Sequence, residues 1–189
     1  MFAHIRQDFD THGRSLRERA FWAMLLYRFG RWGLARRFAP LRWLCGKVYG
    51  LFNVFAPILT GVAIDRNMLV GEEFHIVHPG MVVIHDRVRF GDRCGVMHGV
   101  TIGSAPGSAG VPQSGDDVVL GTGAVVIGNI KIGNGARIAA NSLVVCDVPA
   151  GAMAIGVPAK IYPSYPARRC PSTPDAPEDS HCAEADAQA

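Results

Sequence analysis

"VVLGTGAVVIGNIKIGNGARIAANSLVVCDVP", residues 118–149, returns to itself every six positions. Leu120, Val126, Ile132, Ile138 and Val144 keep one phase of that period. Ala124, Ile130, Ala136, Ser142 and Val148 follow four residues behind them. Glycine follows the first mark in "LGTG" and "IGNG". A six-residue repeat is the signature of a parallel β-helix, in which each unit is a short strand and a corner. Two of the six side chains point inward. One unit cannot bury them, but stacked coils bury a continuous column.

The same marks run upstream at Ile64, Val70 and Ile76, then at Ile84, Phe90, Val96 and Ile102. Val88, Cys94 and Val100 sit four behind. Twelve units from 64 to 149 result. Three units close a triangular coil, which predicts about four coils. Two interruptions stand out. Within "IVHPGMVVIH", 76–85, the count slips by two. The stretch 103–117, "GSAPGSAGVPQSGDD", lacks aliphatic marks and reads as a loop extruded from one corner, either functional or a flexible insertion.

Before the repeat, residues 15–57 read as helical. "SLRE", Ser15 to Glu18, has the form of a capping box. Pro40 and Pro57 divide the segment into helices predicted over 15–39 and 41–56. Their aromatic faces suit a packed core or an oligomer contact. The expected organisation is a mainly β chain: an N-terminal helical segment over 1–60, a β-helix domain over 61–162, and a Pro-, Ala- and acid-rich disordered tail over 163–189.

Net charge is +3, unevenly spread. Residues 1–50 hold ten Lys and Arg against three acids, while 51–166 hold seven against eight and 167–189 two against five. A basic helical segment suits a solvated face, a phosphate or a membrane surface. No nucleic-acid partner is expected. Five cysteines at 45, 94, 146, 170 and 182 form no CxxC or metal spacing. With charges where a signal peptide would be apolar, reduced thiols in a cytoplasm are the simple expectation, with the basic helices peripheral to a membrane at most. No apolar run is long enough to span a bilayer.

Seven histidines occur, at 4, 12, 75, 78, 85, 98 and 181. His78 lies two residues past Ile76, and His98 two past Val96. If the slip falls after Pro79, the two imidazoles occupy one column on adjacent coils, about 4.8 Å apart at the backbone. The pair, the broken repeat and the nearby loop coincide, which marks a site. His75 and His85 read as structural or surface residues.

These residues carry a likeness. "VGEEFHIVHPGMVVIHD", "GVTIG", the repeat quoted above and the closing "AIGVPAKI" cover 58–162. Over that span the chain resembles the hexapeptide-repeat acyltransferases, and within them the serine acetyltransferase branch. The resemblance implies a left-handed parallel β-helix and a homotrimer, or a higher oligomer of trimers, with active sites between subunits. It implies acetyl-CoA as donor, no metal, and a small-molecule hydroxyl as acceptor. The catalytic histidine of the family falls on His78, with His98 beside it. Gly121, Ala139, Ala140, Val157 and Lys160 become CoA contacts by position, Lys160 meeting a phosphate unless it is merely a surface lysine.

The implied reaction is O-acetyl transfer with a histidine general base. The chain departs from the family pattern at two carboxylate positions, which are Ala63 and Val77 here, and its 103–117 loop holds neither Arg nor His. A sugar or exopolysaccharide hydroxyl is therefore a second acceptor reading. Two remoter readings are a metalloenzyme of the γ-carbonic anhydrase type and a non-catalytic trimeric scaffold. The first needs an H-x4-H spacing about His98, but Arg93 and Gly103 stand there.

Overall fold

The computed structural model of the chain describes residues 2–107 and 110–163. The predicted tail, apart from Pro163, lies outside the described residues.

From Val62 the chain winds as a β-solenoid. The first coil holds β1 (Val62–Ile64), β2 (Leu69–Val70) and β3 (His75–Val77). The second holds β4 (Val82–Ile84), β5 (Arg89–Phe90) and β6 (Gly95–Met97). The third holds β7 (Thr101–Gly103), β8 (Gln113–Ser114) and β9 (Val119–Leu120). The fourth holds β10 (Val125–Ile127), β11 (Lys131–Ile132) and β12 (Arg137–Ile138). The last holds β13 (Leu143–Val144), a bridge from Ile132 to Val148, and β14 (Met153–Ile155), followed by β15 (Lys160–Tyr162).

Equivalent strands stack into three sheets, β1-β4-β7-β10-β13, β2-β5-β8-β11 and β3-β6-β9-β12-β14-β15. Every pairing is parallel except β14 with β15. The levels number five rather than four. A regular count missed one because the last coil is short: Ile132 bridges Val148 and Ile138 pairs with Ala154, each sixteen residues on. Ser114 also hides a strand behind a polar side chain.

The repeat marks form the core. Ile64, Ile76, Ile84, Phe90, Val96, Ile102, Leu120, Val126, Ile132, Ile138 and Val144 are buried, and Val70 packs against them. The second marks from Val88 to Val148 are buried too. Each such aliphatic side chain contributes about 1.5–3 kcal/mol of transfer free energy.

The glycines after the first marks have a specific cause. Asp92 Oδ1 accepts the Glu72 N–H (2.8 Å), Asp116 Oδ1 the Asp92 N–H (2.9 Å), and Asn134 Oδ1 the Asp116 N–H (3.1 Å). These oxygens reach back one coil over Gly71, Gly91 and Gly115, where a Cβ would collide with them. Glycine is therefore required by its neighbour one coil on.

Both interruptions are resolved by register. Ile84 pairs with Ile102, eighteen residues on, but Ile64 pairs with Ile84, twenty on. The extra pair lies at the corner after His78, where the Gly99 N–H donates to Gly80 O (2.8 Å) and Val82 already pairs with Val62. At the other interruption, Ile102 pairs with Val126, twenty-four on. The extrusion is narrower than 103–117. Val111 is buried, and Gln113 and Ser114 return to the second sheet against Arg89 of β5 and β11.

Three helices precede the solenoid: α1 (Phe2–Thr11), α2 (Arg19–Leu34) and α3 (Ala39–Thr60). Helix α1 was not expected from the apolar spacing, which places the first helix at 15. The capping box does not form. Glu18 is the N-cap without a side-chain bond, and Ser15 Oγ accepts the Arg17 N–H instead. Pro40 begins α3 rather than ending a helix, as its fixed φ and missing N–H allow. Pro57 is tolerated inside the last turn, and Gly61 ends α3 in the left-handed region at φ 72°.

The helices solve an end problem. A terminal coil presents an open core and an unpaired strand edge. Ala20, Ala23, Met24 and Tyr27 of α2 join the core cluster at that end, and Tyr27 OH donates to Met68 O (3.0 Å). His12, after α1, accepts the Ile76 N–H on Nε2 (3.2 Å), while its Nδ1 lies 2.7 Å from Asp8 O. Nδ1 therefore carries the proton. Asp8 in turn accepts from Arg28 Nε (2.9 Å) and Nη2 (3.1 Å), pinning α1 to α2.

Candidate functional site

Val77 pairs with Met97 in the third sheet, so the next residues, His78 and His98, stand one above the other at the following corner. Their ring centroids lie 6.5 Å apart with planes at 63°, and both side chains are exposed. The two-residue slip falls where this alignment requires it. The same corner continues through Thr122 and Ala140, by extension of the β6-β9 and β9-β12 registers. Backbone bonds hold the column: the Gly123 N–H donates to His98 O (2.9 Å) and the Asn141 N–H to Thr122 O (2.8 Å).

The backbone at the slip is unusual. In regular coils the residue after the column position is left-handed, as at Gly99, Gly123 and Asn141. In the slipped coil His78 itself (φ 54°) and Met81 (φ 51°) take that conformation. A non-glycine residue there costs of order 1 kcal/mol or more and persists only where its surroundings fix it. The fixing contact comes from below. A Cβ on Gly61, which caps α3, would lie 2.8 Å from Gly80 Cα. The end of α3 thus sets the corner that presents His78.

Ala63 pairs with Val83 in the first sheet, and Val77 is half-buried on β3. Among the described residues no carboxylate comes within ion-pair distance of His78 or His98. The ring that His78 meets is His98.

The remaining predicted residues line the edge beside this column. Gly121 follows β9 and donates its N–H to Ile138 O (2.9 Å), and Ala139 follows β12 and donates to Ala154 O (2.9 Å). A Cβ on Gly121 would lie 2.7 Å from the Ala140 nitrogen, so these three residues form a close-packed, side-chain-poor strip. Ile155 pairs with Lys160, which carries the strip to the last strand. Val157 is exposed in the β14-β15 turn. From β3 to β15 are five strand spacings. At about 4.8 Å each, roughly 24 Å of edge separates His78 from Lys160.

Sequence reasoning missed Thr122, which stands between His98 and Ala140 and donates to Met97 Sδ (3.5 Å). Its place in "LGTG", two past a repeat mark like both histidines, was the available signal. His75 and His85 make their contacts away from this pair of rings. His75 packs edge-on against His12, with centroids 5.1 Å apart, and burial, reinforced by His12, pushes its pKa below 6.5. His85 lies beside Asp86, 2.7 Å between Nδ1 and Oδ1. Among the described residues no group of three or more His, Cys, Asp or Glu is arranged to hold a metal ion.

No protein-family model matches the chain. It is 30% identical over 167 residues to the serine acetyltransferase of Bacillus subtilis, covering 85% of this chain and 76% of that protein. It is 42% identical over 109 residues to the serine acetyltransferase of Mycobacterium tuberculosis, covering 57% of this chain and 48% of the relative. The chain thus spans about half the length of several curated relatives it matches. Among solved structures, soybean serine acetyltransferase complexed with serine aligns at a TM-score of 0.67 and 29% identity, over 78% of this chain and 58% of that one. Serine acetyltransferase from Brucella abortus shares the fold at a TM-score of 0.73 and 22% identity, over 87% of this chain and 70% of that one.

Proposed function

This chain belongs to the serine acetyltransferase family, and we propose that it moves an acetyl group from acetyl-CoA to the hydroxyl of serine or a related small molecule. The observation that carries the proposal is the continuous edge from the His78–His98 pair along Gly121, Ala139 and Ala140 to Lys160. Relatives solved in complex with CoA and with serine support both substrates.

In this reading His78 is the general base. Neutral imidazole takes the acceptor hydroxyl proton as the oxygen attacks the thioester carbonyl. Backbone N–H groups stabilise the tetrahedral oxyanion. As the C–S bond breaks, imidazolium returns the proton to the CoA thiolate. His98 borders His78 and orients it or the acceptor. The small residues of the strip admit the pantetheine arm against the backbone, and Lys160 and Val157 flank the nucleotide end, with Lys160 meeting a phosphate.

The active unit is a homotrimer, or a higher oligomer of trimers. The outward residues of the first sheet support it: Ala63, Val83, Thr101, Val125 and Leu143 stack in one column that holds no charge. The other two sheets display Arg89, Lys131 and Arg137 outward. The His78 corner opens directly onto the apolar first sheet, so a copy packed there borders the site.

A sugar hydroxyl is kept as a second acceptor because Ala63 and Val77 hold no carboxylate and the extruded loop holds no cation. Thiol release from acetyl-CoA, measured with serine and with a panel of sugars for wild type and His78→Ala, tests the whole reading. Turnover of one acceptor class that is lost in His78→Ala is expected. No turnover with either class, together with no binding of acetyl-CoA, would sink it.

A further inference from the structure

Helix α3 buries only Cys45, Tyr49 and Thr60. Cys45 and Tyr49 fit a narrow seam against α2, where a Cβ on Gly33 would lie 2.8 Å from Cys45 Cβ and one on Gly30 would lie 2.6 Å from the Tyr49 ring. Most of the rest of α3 faces outward, and apart from Arg42, Lys47 and Asn53 its side chains are apolar. Trp43, Leu51, Val54, Ile58 and Leu59 are all more than 60% exposed. Between α2 and α3 a groove of about 660 Å³ opens, lined by Trp22, Leu25, Phe29, Phe52, Phe55 and Leu59 among others. A helix that is apolar nearly all round is at home in a protein interior or a lipid phase. Yet no described helix is long and apolar enough to cross a membrane.

Charge selects the occupant. From Val48 to Thr60 there is no charged residue. Cations stand at both ends of the apolar surface: Arg19 lines the groove together with Leu59 and Thr60, and Arg42 and Lys47 are exposed near the start of α3. Among the described residues none of the three forms an ion pair. Helices α2 and α3 hold no acidic residue, so a second copy docking by this face would set Arg19, Arg42 and Lys47 against like charges with no carboxylate of either helix to offset them. A surface that is apolar within and anionic at its rim satisfies both the side chains and the charge.

We propose that the α2–α3 face docks on an anionic phospholipid bilayer. Helix α3 lies in the interfacial plane, its Trp, Leu and Phe side chains among the acyl chains and Arg19, Arg42 and Lys47 at the phosphates. The solenoid then hangs from the membrane by its first coil, with the His78 corner near the lipid surface. This attachment is independent of the acetyl-transfer reading.

Co-sedimentation of the full chain with phosphatidylcholine vesicles, with and without phosphatidylglycerol, tests it. Light scattering in lipid-free buffer runs alongside. The wild type sediments with the anionic vesicles and is released by salt, and stays in the supernatant with phosphatidylcholine alone. Each cation near the surface contributes about 1 kcal/mol, so Arg42→Ala with Lys47→Ala weakens partitioning roughly thirtyfold. Phe52→Glu with Phe55→Glu abolishes it while circular dichroism and particle mass are unchanged, since both side chains are exposed. Failure to sediment with anionic vesicles overturns the proposal. So does wild-type binding by both double variants, or a drop in lipid-free particle mass in Phe52→Glu/Phe55→Glu, which assigns the face to a second copy.

Discussion

His78 and His98 stand on one corner of adjacent coils, 6.5 Å between ring centroids, and each is the other's aromatic neighbour. Both are exposed, so their replacement tests chemistry without disturbing the core. His78→Ala is expected to lower kcat by about 10²–10⁴. His98→Asn is expected to lower it less. Thermal midpoints of both should stay at the wild-type value. Equal activity of His78→Ala and wild type in thiol-release kinetics removes His78 from the reaction.

Lys160 marks the far end of the same edge. Lys160→Ala is expected to raise KM for acetyl-CoA several-fold and leave kcat alone, the pattern of lost ground-state and transition-state binding in equal measure. An unchanged KM makes Lys160 a surface lysine.

Gly61 touches Gly80 across the first two coils, and its φ of 72° favours glycine. Gly61→Val is expected to cost about 1–3 kcal/mol in urea unfolding. It should also lower kcat, because the displaced corner carries His78. Loss of stability with full activity would separate the helix end from the site.

Asp8 is 1% exposed and paired to Arg28. Arg28→Ala leaves a buried carboxylate without its cation, and a cost of about 3–5 kcal/mol is expected from denaturant titration. Arg28→Ala with Asp8→Ala should recover part of it. A cost for Arg28→Ala below that of an ordinary surface substitution counts against the pair's role in docking α1.

His75 carries a pH dependence. Its pKa is pushed below the usual 6.5 by burial and by His12, so the unfolded chain binds the proton more readily than the folded one. Its stability contribution is whole above 6.5 and is lost as pH falls toward the lowered value. His75→Gln is expected to flatten the slope of stability against pH in that window. An unchanged slope assigns the acid sensitivity elsewhere.

The solenoid core was legible because a six-residue period needs no partner to be read: from Leu120 to Val144 every mark is buried. The column of His78 and His98 followed from the same count, given the right place for the slip. Ser114 and Val148 were not legible as strand positions, since one is polar and the other sits in a shortened coil. Helix α1 was missed because FAHIRQDFDT has too few apolar residues to mark a helical face, and what holds it is tertiary: Phe9 against Phe21 and Asp8 against Arg28 of α2. Pro40 and Pro57 were misread because proline restricts the residues before it whether it starts a helix or sits in its last turn.

The sequence by itself determined the repeat, the inward side chains, the histidine column and the family resemblance, all of which depend on spacing along the chain. Only the tertiary structure decided what closes the first coil, why Gly61 must meet Gly80, and that most of α3 faces outward. Those are contacts between segments distant in sequence. Local periodicity records which side of a strand or helix is apolar; it does not record which surface, if any, arrives to cover it.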